Sequence, residues 1–166
     1  MMQMPKGLQH LIILLLSTCL LSGCGFTLRG SETASLPAQL QTLQLQFAGS
    51  NELGQLFQRE LLAAGVELSE SSTFRLELGN EQSQERVVSV NQNIRAGEYE
   101  LSMSSSFRLY EDGELLMDSG PVSSFQIYEA DPLNAAAKTI ETELVKDELR
   151  LDLVMQMMRS LQNLTL

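Results

Sequence analysis

The sequence predicts an α+β domain, a two-layer sandwich of about four long, mostly antiparallel strands with two helices packed on one face. Three observations lead to this prediction. Apolar or small side chains occupy every second position from 99 to 109, which indicates a strand with one buried and one solvated face. Asp112-Gly113 follows, and such a pair supplies the positive φ angles of a tight hairpin. From 133 to 161 neither glycine nor proline interrupts the chain, which favours a long final helix.

The elements before this strand are predicted from alternation and capping. Leu43, Leu45 and Phe47 alternate with glutamines, as in a half-buried strand. Ser50-Asn51 can cap a helix, and Gly65 is a suitable residue to end it. The sequence therefore predicts a strand followed by a helix of about three turns.

Two further long strands flank the one at 99–109. Alternation over 74–78 resumes at 88–90, which predicts a long strand with a bulge or break near Gly79-Asn80. After the hairpin, residues 115–128 return as a strand that Gly120-Pro121 interrupts. The predicted order is strand, helix, three strands and a final helix.

The final helix carries more apolar residues than one face requires. Asp131-Pro132 is expected to open it, since Asp caps exposed amides and Pro is tolerated in a first turn. One apolar stripe consists of Ala137, Ile140, Leu144, Leu151, Met155 and Met158, and a second set of Val145, Leu149, Leu153, Val154 and Met157 widens it. Two interpretations remain open: a tightly filled core, or a partner protein that covers the remainder.

The first residues have the order of a secretory signal. Lys6 precedes an apolar run over 11–21, and Ser22-Gly23 supplies small residues. A membrane-spanning helix would need about 20 apolar residues, which exceeds this run. Leu21-Ser22-Gly23-Cys24 resembles the lipobox of bacterial lipoproteins, in which the cysteine is acylated after cleavage. Several acyl chains on one residue give a stable anchor.

The expected organisation is therefore a removed signal peptide over 1–23, a lipidated tether over 24–38 and a single α+β domain over 39–166. Cys24 is the predicted lipidation site. Removal of the signal also removes Cys19, so no internal disulfide is expected.

The composition argues against most enzyme classes. His10 is the only histidine and lies in the predicted signal, whereas catalytic triads and histidine-ligated zinc sites need an imidazole. Catalysis by a carboxylate pair stays formally open, although no pair is singled out. We expect a binding or assembly protein with no enzymatic activity, cofactor or metal. The formal net charge of −10 disfavours nucleic acid as a partner.

The chain resembles a known family, the LptE lipopolysaccharide-assembly lipoproteins. The segment Cys24-Gly25-Phe26-Thr27-Leu28-Arg29-Gly30 is similar to that family's C-G-[FW]-x-L-R start. Looser matches are Leu36-Pro37, Glu98-Tyr99, Tyr128, Asp131-Pro132, Ala137-Lys138, Glu148-Leu149 and 156–161.

The resemblance implies an outer-membrane lipoprotein, facing the periplasm or lying within a barrel lumen. Proteins of this family plug the large β-barrel LptD, assist its assembly and bind lipopolysaccharide. Lys138 matches the family's basic residue after Asp-Pro, and Arg95 matches its loop arginine approximately, so both are candidate lipopolysaccharide contacts. The alternatives for Lys138 are a pair with Glu141 or Thr142 on its own helix. The alternative function is a lipoprotein subunit of another envelope assembly or lipid-transport complex, without lipopolysaccharide contact.

Overall fold

A computed structural model of the 166-residue chain describes residues 36–48, 51–90, 96–130 and 134–165. The predicted signal, Cys24 and Arg95 lie outside these residues. The same holds for Asp131-Pro132, which was expected to open the final helix.

The described residues contain two α-helices and eight strands. In chain order they form a 3-10 helix (Ala38–Gln41), β1 (Thr42–Gln46), α1 (Glu52–Ala63), β2 (Glu67–Leu68), β3 (Phe74–Leu78), β4 (Gln82–Val90), β5 (Ala96–Ser105), β6 (Phe107–Glu111), β7 (Glu114–Asp118), β8 (Val122–Glu129) and α2 (Ala135–Gln162). The predicted α+β class is confirmed. The strands number eight rather than about four, because the long strands are divided and the two-residue β2 was not predicted.

The strands form two sheets that share three long strands. The first has the order β2-β1-β3-β6-β7 and the second β4-β5-β8. Among the described strands, β1 alone pairs in parallel, with β2 and β3, and the other pairs are antiparallel. Since β3 runs on into β4, β5 into β6 and β7 into β8, three long strands form a meander that bends across its middle. These three strands and β1 are the four predicted from the sequence.

Hydrogen bonds connect the strands at the bend. The Gly79 amide donates to the Ser106 carbonyl at 2.7 Å, and the Ser105 hydroxyl donates to the Gly79 carbonyl at 3.0 Å. The Ser119 hydroxyl accepts from the Phe107 amide at 2.8 Å. The predicted breaks near Gly79 and Gly120 are therefore found.

The prediction of one uninterrupted strand from 99 to 109 was wrong. Ser106 separates β5 from β6, while Ser105 and Phe107 on either side of it are both buried. The alternation of buried and exposed side chains thus continues across the break. A pattern of period two cannot reveal a bend that preserves the period.

Both helices and both sheets contribute to one core, which includes Phe57 of α1, Leu76 of β3, Met103 of β5 and Leu153 of α2, each at most 1% exposed. The core includes a residue that precedes the predicted start of the domain. Leu36 is only 5% exposed, although the sequence placed the end of the tether at 38.

The caps decide where the helices begin. The Asn51 side chain accepts from the Gly54 amide, as predicted. Asn134, rather than Asp131, caps α2, because its side-chain oxygen accepts from the Ala137 amide at 3.0 Å. Asn and Asp are about equally good caps, so residue type alone did not discriminate between the two positions.

Candidate functional site

Lys138 lies in the first turns of α2 and reaches across to the second sheet. Its Nζ is 2.6 Å from Oε1 of Glu85 on β4 and 3.9 Å from the ring centroid of Tyr99 on β5. The pairing within its own helix, with Glu141 or Thr142, is not what the structure shows. The ammonium instead combines an ion pair with a cation–π contact, which favours a fixed position.

Two further side chains complete the surroundings of Lys138. The Tyr128 hydroxyl on β8 donates to Oε2 of Glu85 at 2.5 Å, and the Tyr128 ring stacks on Tyr99 with centroids 5.7 Å apart. Oγ1 of Thr142, one turn after Lys138, lies 2.8 Å from the Tyr128 hydroxyl. We call Glu85, Tyr99, Tyr128, Lys138 and Thr142 the Lys138 cluster.

The charges of this cluster stabilise each other. The hydrogen bond to Glu85 raises the pKa of Lys138, against partial desolvation. Burial raises the pKa of Glu85, but the hydrogen bonds from Lys138 and Tyr128 outweigh burial, and the net pKa is lowered. Burial and the bond to Glu85 raise the pKa of Tyr128. At neutral pH the cluster therefore holds one cation and one anion.

Arg95, the second candidate contact, lies outside the described residues. Arg95 precedes Ala96, the first residue of β5, and Tyr99 lies three residues further along that strand. Lys138 contacts this first part of β5.

A second charged cluster was not predicted from the sequence. Arg150 on α2 is only 8% exposed and contacts the carboxylates of Glu81, Asp147 and Glu52. Hydrogen bonds to the Glu81 carboxylate raise the pKa of Arg150 above its ordinary value, although desolvation alone would lower it. An arginine between Leu149 and Leu151, two apolar residues of α2, was the one sequence signal for this cluster. It connects α2 with α1 and with the bend before β4.

Apolar side chains are exposed on both outer surfaces of the domain. On α2, Ile140, Leu144, Leu151 and Met155 are 64%, 56%, 47% and 43% exposed and recur at helical spacing along one side. We call them the helix stripe. The second predicted set (Val145, Leu149, Leu153, Val154, Met157) is buried, with Met158. The interpretation that all of these residues fill a tight core is therefore wrong for the stripe.

The other apolar surface belongs to β8. Ser124 and Tyr128 bond to side chains of α2, so the alternate residues Phe125 and Ile127 point to the opposite side of the sheet. They are 66% and 52% exposed. We call this pair the sheet patch. The helix stripe and the sheet patch thus lie on opposite sides of the two layers.

The fold is shared with bacterial lipoproteins of known structure. A lipoprotein B from Nitrosomonas europaea superposes with a TM-score of 0.65 at 21% identity, over 81% of this chain and 88% of that one. None of the helices among the described residues is both long and apolar enough to cross a membrane. Fold and surfaces together define the class as an α+β domain with the fold of these lipoproteins and with apolar side chains exposed on both layers.

The sequence comparisons then identify the family. The family model of LptE, described as lipopolysaccharide-assembly, matches residues 40–161. The LPS-assembly lipoprotein LptE of Pectobacterium atrosepticum is 28% identical over 155 residues, 90% of this chain and 83% of that protein. The Yersinia pestis protein of the same name is 30% identical over 159 residues, with 90% and 73% covered. The chain belongs to the LptE family, which confirms the resemblance and a role in lipopolysaccharide transport.

Proposed function

We propose that this chain is an outer-membrane lipoprotein, anchored through Cys24, that plugs the LptD β-barrel and assists its assembly. We propose further that it binds lipopolysaccharide on the way to the cell surface. The family membership supports the general role, and the surface of the domain supports the plug.

The observation that carries the plug proposal is the apolar surface on both outer sides. A protein that docks through one face needs exposed apolar residues on that face only, and exposed apolar patches mark interaction sites. Here the helix stripe is exposed on α2, whereas the sheet patch is exposed on the face of the sheet that points away from α2. A partner that encloses the domain, as the lumen of a barrel does, would cover both.

Affinity purification of the tagged full-length chain from membranes tests the plug. The wild type should recover LptD in stoichiometric amount. Two variants, Phe125→Ser with Ile127→Ser and Ile140→Ser with Leu144→Ser, should each recover less, because each removes apolar area from one side. A control with Ser123→Thr and Glu129→Gln changes exposed polar residues of β8 and should recover as much as the wild type.

The alternative function makes a different prediction in this experiment. Recovery of another envelope complex, with no LptD, would contradict the plug and favour a different assembly or lipid-transport machine. Loss in only one of the two apolar variants would argue for docking through one face.

The ligand proposal rests on the two basic residues. Arg95→Asp with Lys138→Asp should weaken lipopolysaccharide binding, because a cation that contacts phosphate becomes an anion, while the barrel complex persists. Arg86→Asp with Arg108→Asp is the matched control, since these arginines are 65% and 56% exposed and the charge change is equal. Crosslinking to lipopolysaccharide and a thermal melt are measured on the same preparations. Equal binding by both double variants would show that Arg95 and Lys138 are ordinary surface charges and not lipopolysaccharide contacts.

A further inference from the structure

The ammonium of Lys138 already has an anionic partner in the free protein. Glu85 Oε1 lies 2.6 Å from Nζ, and the two side chains are 30% and 29% exposed. The pair is therefore accessible to a ligand, but the N–H groups that a phosphate needs are in part already used. An anion that approaches Lys138 meets a neutral pair rather than a free cation.

Glu85 is held in the position in which it competes. Its second oxygen accepts the Tyr128 hydroxyl at 2.5 Å, and Tyr128 is itself fixed by stacking on Tyr99. The carboxylate is thus aimed at Lys138 by a neighbour on another strand. Two anions that share one ammonium repel each other, so a phosphate must displace Glu85 or bind less tightly beside it.

The neighbours of Glu85 keep the free-energy cost of displacing its carboxylate from Lys138 small. Tyr128 can still donate to Glu85 when Lys138 turns away, and the charge of Lys146 further along the helix also attracts Glu85. The carboxylate would therefore stay partnered and partly solvated. A contact of this kind lowers affinity without blocking the site.

We infer that Glu85 is an internal competitor for the phosphate ligand of Lys138, and that it weakens the binding of phosphorylated lipid so that the lipid can be released. This inference rests on the proposed contact between Lys138 and lipopolysaccharide. A protein that passes its ligand onward needs a limited affinity for it, because the dissociation rate falls as affinity rises.

The test measures lipopolysaccharide binding by the full-length chain, by three variants and by one control variant. Glu85→Gln keeps the shape and an acceptor for Tyr128 but removes the competing charge. We expect it to bind about two- to fivefold more tightly, which is the worth of a partly exposed ion pair. Lys138→Met should bind more weakly, and the double variant Glu85→Gln/Lys138→Met should bind no better than Lys138→Met.

Glu100→Gln is the control for charge. Glu100 lies on the neighbouring strand β5 and pairs with Arg86 through two hydrogen bonds of 2.8 and 2.7 Å. Its loss also frees a cation, but on the opposite face of the sheet, because successive strand residues alternate between faces. It should bind like the wild type. A thermal melt of every variant verifies the fold.

The outcomes separate the competitor from the underlying function. If Lys138→Met weakens binding but Glu85→Gln does not strengthen it, Lys138 is a contact and Glu85 is not a competitor. A gain of equal size in Glu85→Gln and Glu100→Gln is a general charge effect and overturns the inference. If Lys138→Met binds like the wild type, the proposed ligand contact itself is wrong, and the competitor with it.

Discussion

The guanidinium of Arg150 donates two hydrogen bonds to the carboxylate of Glu81, from Nε at 2.8 Å and from Nη2 at 2.9 Å. Glu81 directly precedes β4, at the level where the long strands bend, and Arg150 is in the middle of α2. Two bonds in one plane fix the distance and the angle between helix and bend. Glu52 and Asp147 add further anions around the same guanidinium.

Replacement of Arg150 by methionine is expected to destabilise the domain by roughly 1–3 kcal/mol, the cost of a buried hydrogen-bonding group left without its partner. Removal of one partner from a largely buried ion pair leaves the other charge without compensation, and three carboxylates would then lie close together. Urea denaturation measures the change. Arg86→Met is the control, because its guanidinium is 65% exposed, and it should change stability little. Similar losses in both variants would contradict the role given to the Arg150 cluster.

The Glu85–Lys138 pair should contribute to stability only in a middle pH range. The pKa of Glu85 is lowered below its ordinary value of 4.5, so its contribution is present above that value and is lost as pH falls through the lowered pKa. The pKa of Lys138 is raised above 10.5, so its contribution is present below 10.5 and is lost as pH rises through the raised pKa.

Thermal melts of the wild type and Glu85→Gln from pH 2 to pH 11 test this range. The wild type should be more stable by up to about 1 kcal/mol between pH 5 and pH 10, and the two curves should converge in acid. A difference that persists at pH 2 would show that Glu85 acts through packing rather than charge.

Gly79→Ala should destabilise the bend by roughly 1–3 kcal/mol, as overpacking does. An added Cβ would lie 3.0 Å from the Ser106 Oγ and 3.1 Å from the Ser106 carbonyl oxygen. The carbonyl cannot retreat easily, since it accepts the Gly79 amide at 2.7 Å. Chemical denaturation of Gly79→Ala and of Gly79→Ala/Ser106→Ala separates the two contacts. Full rescue in the double variant would assign the cost to the hydroxyl alone.

Cys24→Ala should abolish lipid attachment and membrane retention, because the lipobox-like segment offers no other acyl acceptor. Mass spectrometry of the mature amino terminus, together with membrane fractionation, measures the effect. The wild type should start at an acylated Cys24. A different terminus, or an unmodified Cys24, would show that the chain is not anchored in this way.

Most of the fold could be predicted from the sequence because its signals are local. Alternation identified β1 and the first two long strands, Asp112-Gly113 identified the hairpin from which the third long strand returns, and Gly79 and Gly120 identified two of the three breaks in the strands. The break at Ser106 has no glycine or proline and leaves the alternation intact. It exists because the neighbouring strands bend at the same level, which is a relationship between strands that are distant in the sequence.

The candidate site was predicted less completely, for the same reason. Lys138 was selected by its resemblance to a family position, but its partner Glu85 is 53 residues away in the sequence, and Arg150 and Glu81 are 69 apart. No periodicity relates such pairs. Only the packing of α2 against the bent meander brings them within hydrogen-bond distance.

By itself the sequence determined the α+β class, the three long strands and β1, the family and the excess of apolar residues on the last helix, because periodicity, turn chemistry and motifs are properties of short segments. The tertiary structure alone decided which of those apolar residues are buried, which carboxylate neutralises Lys138, and that Phe125 and Ile127 face away from the helix stripe. A side chain's burial and its partner depend on what packs against it. Long-range packing makes that choice, since a helix with apolar residues on two sides buries the side that the sheet covers.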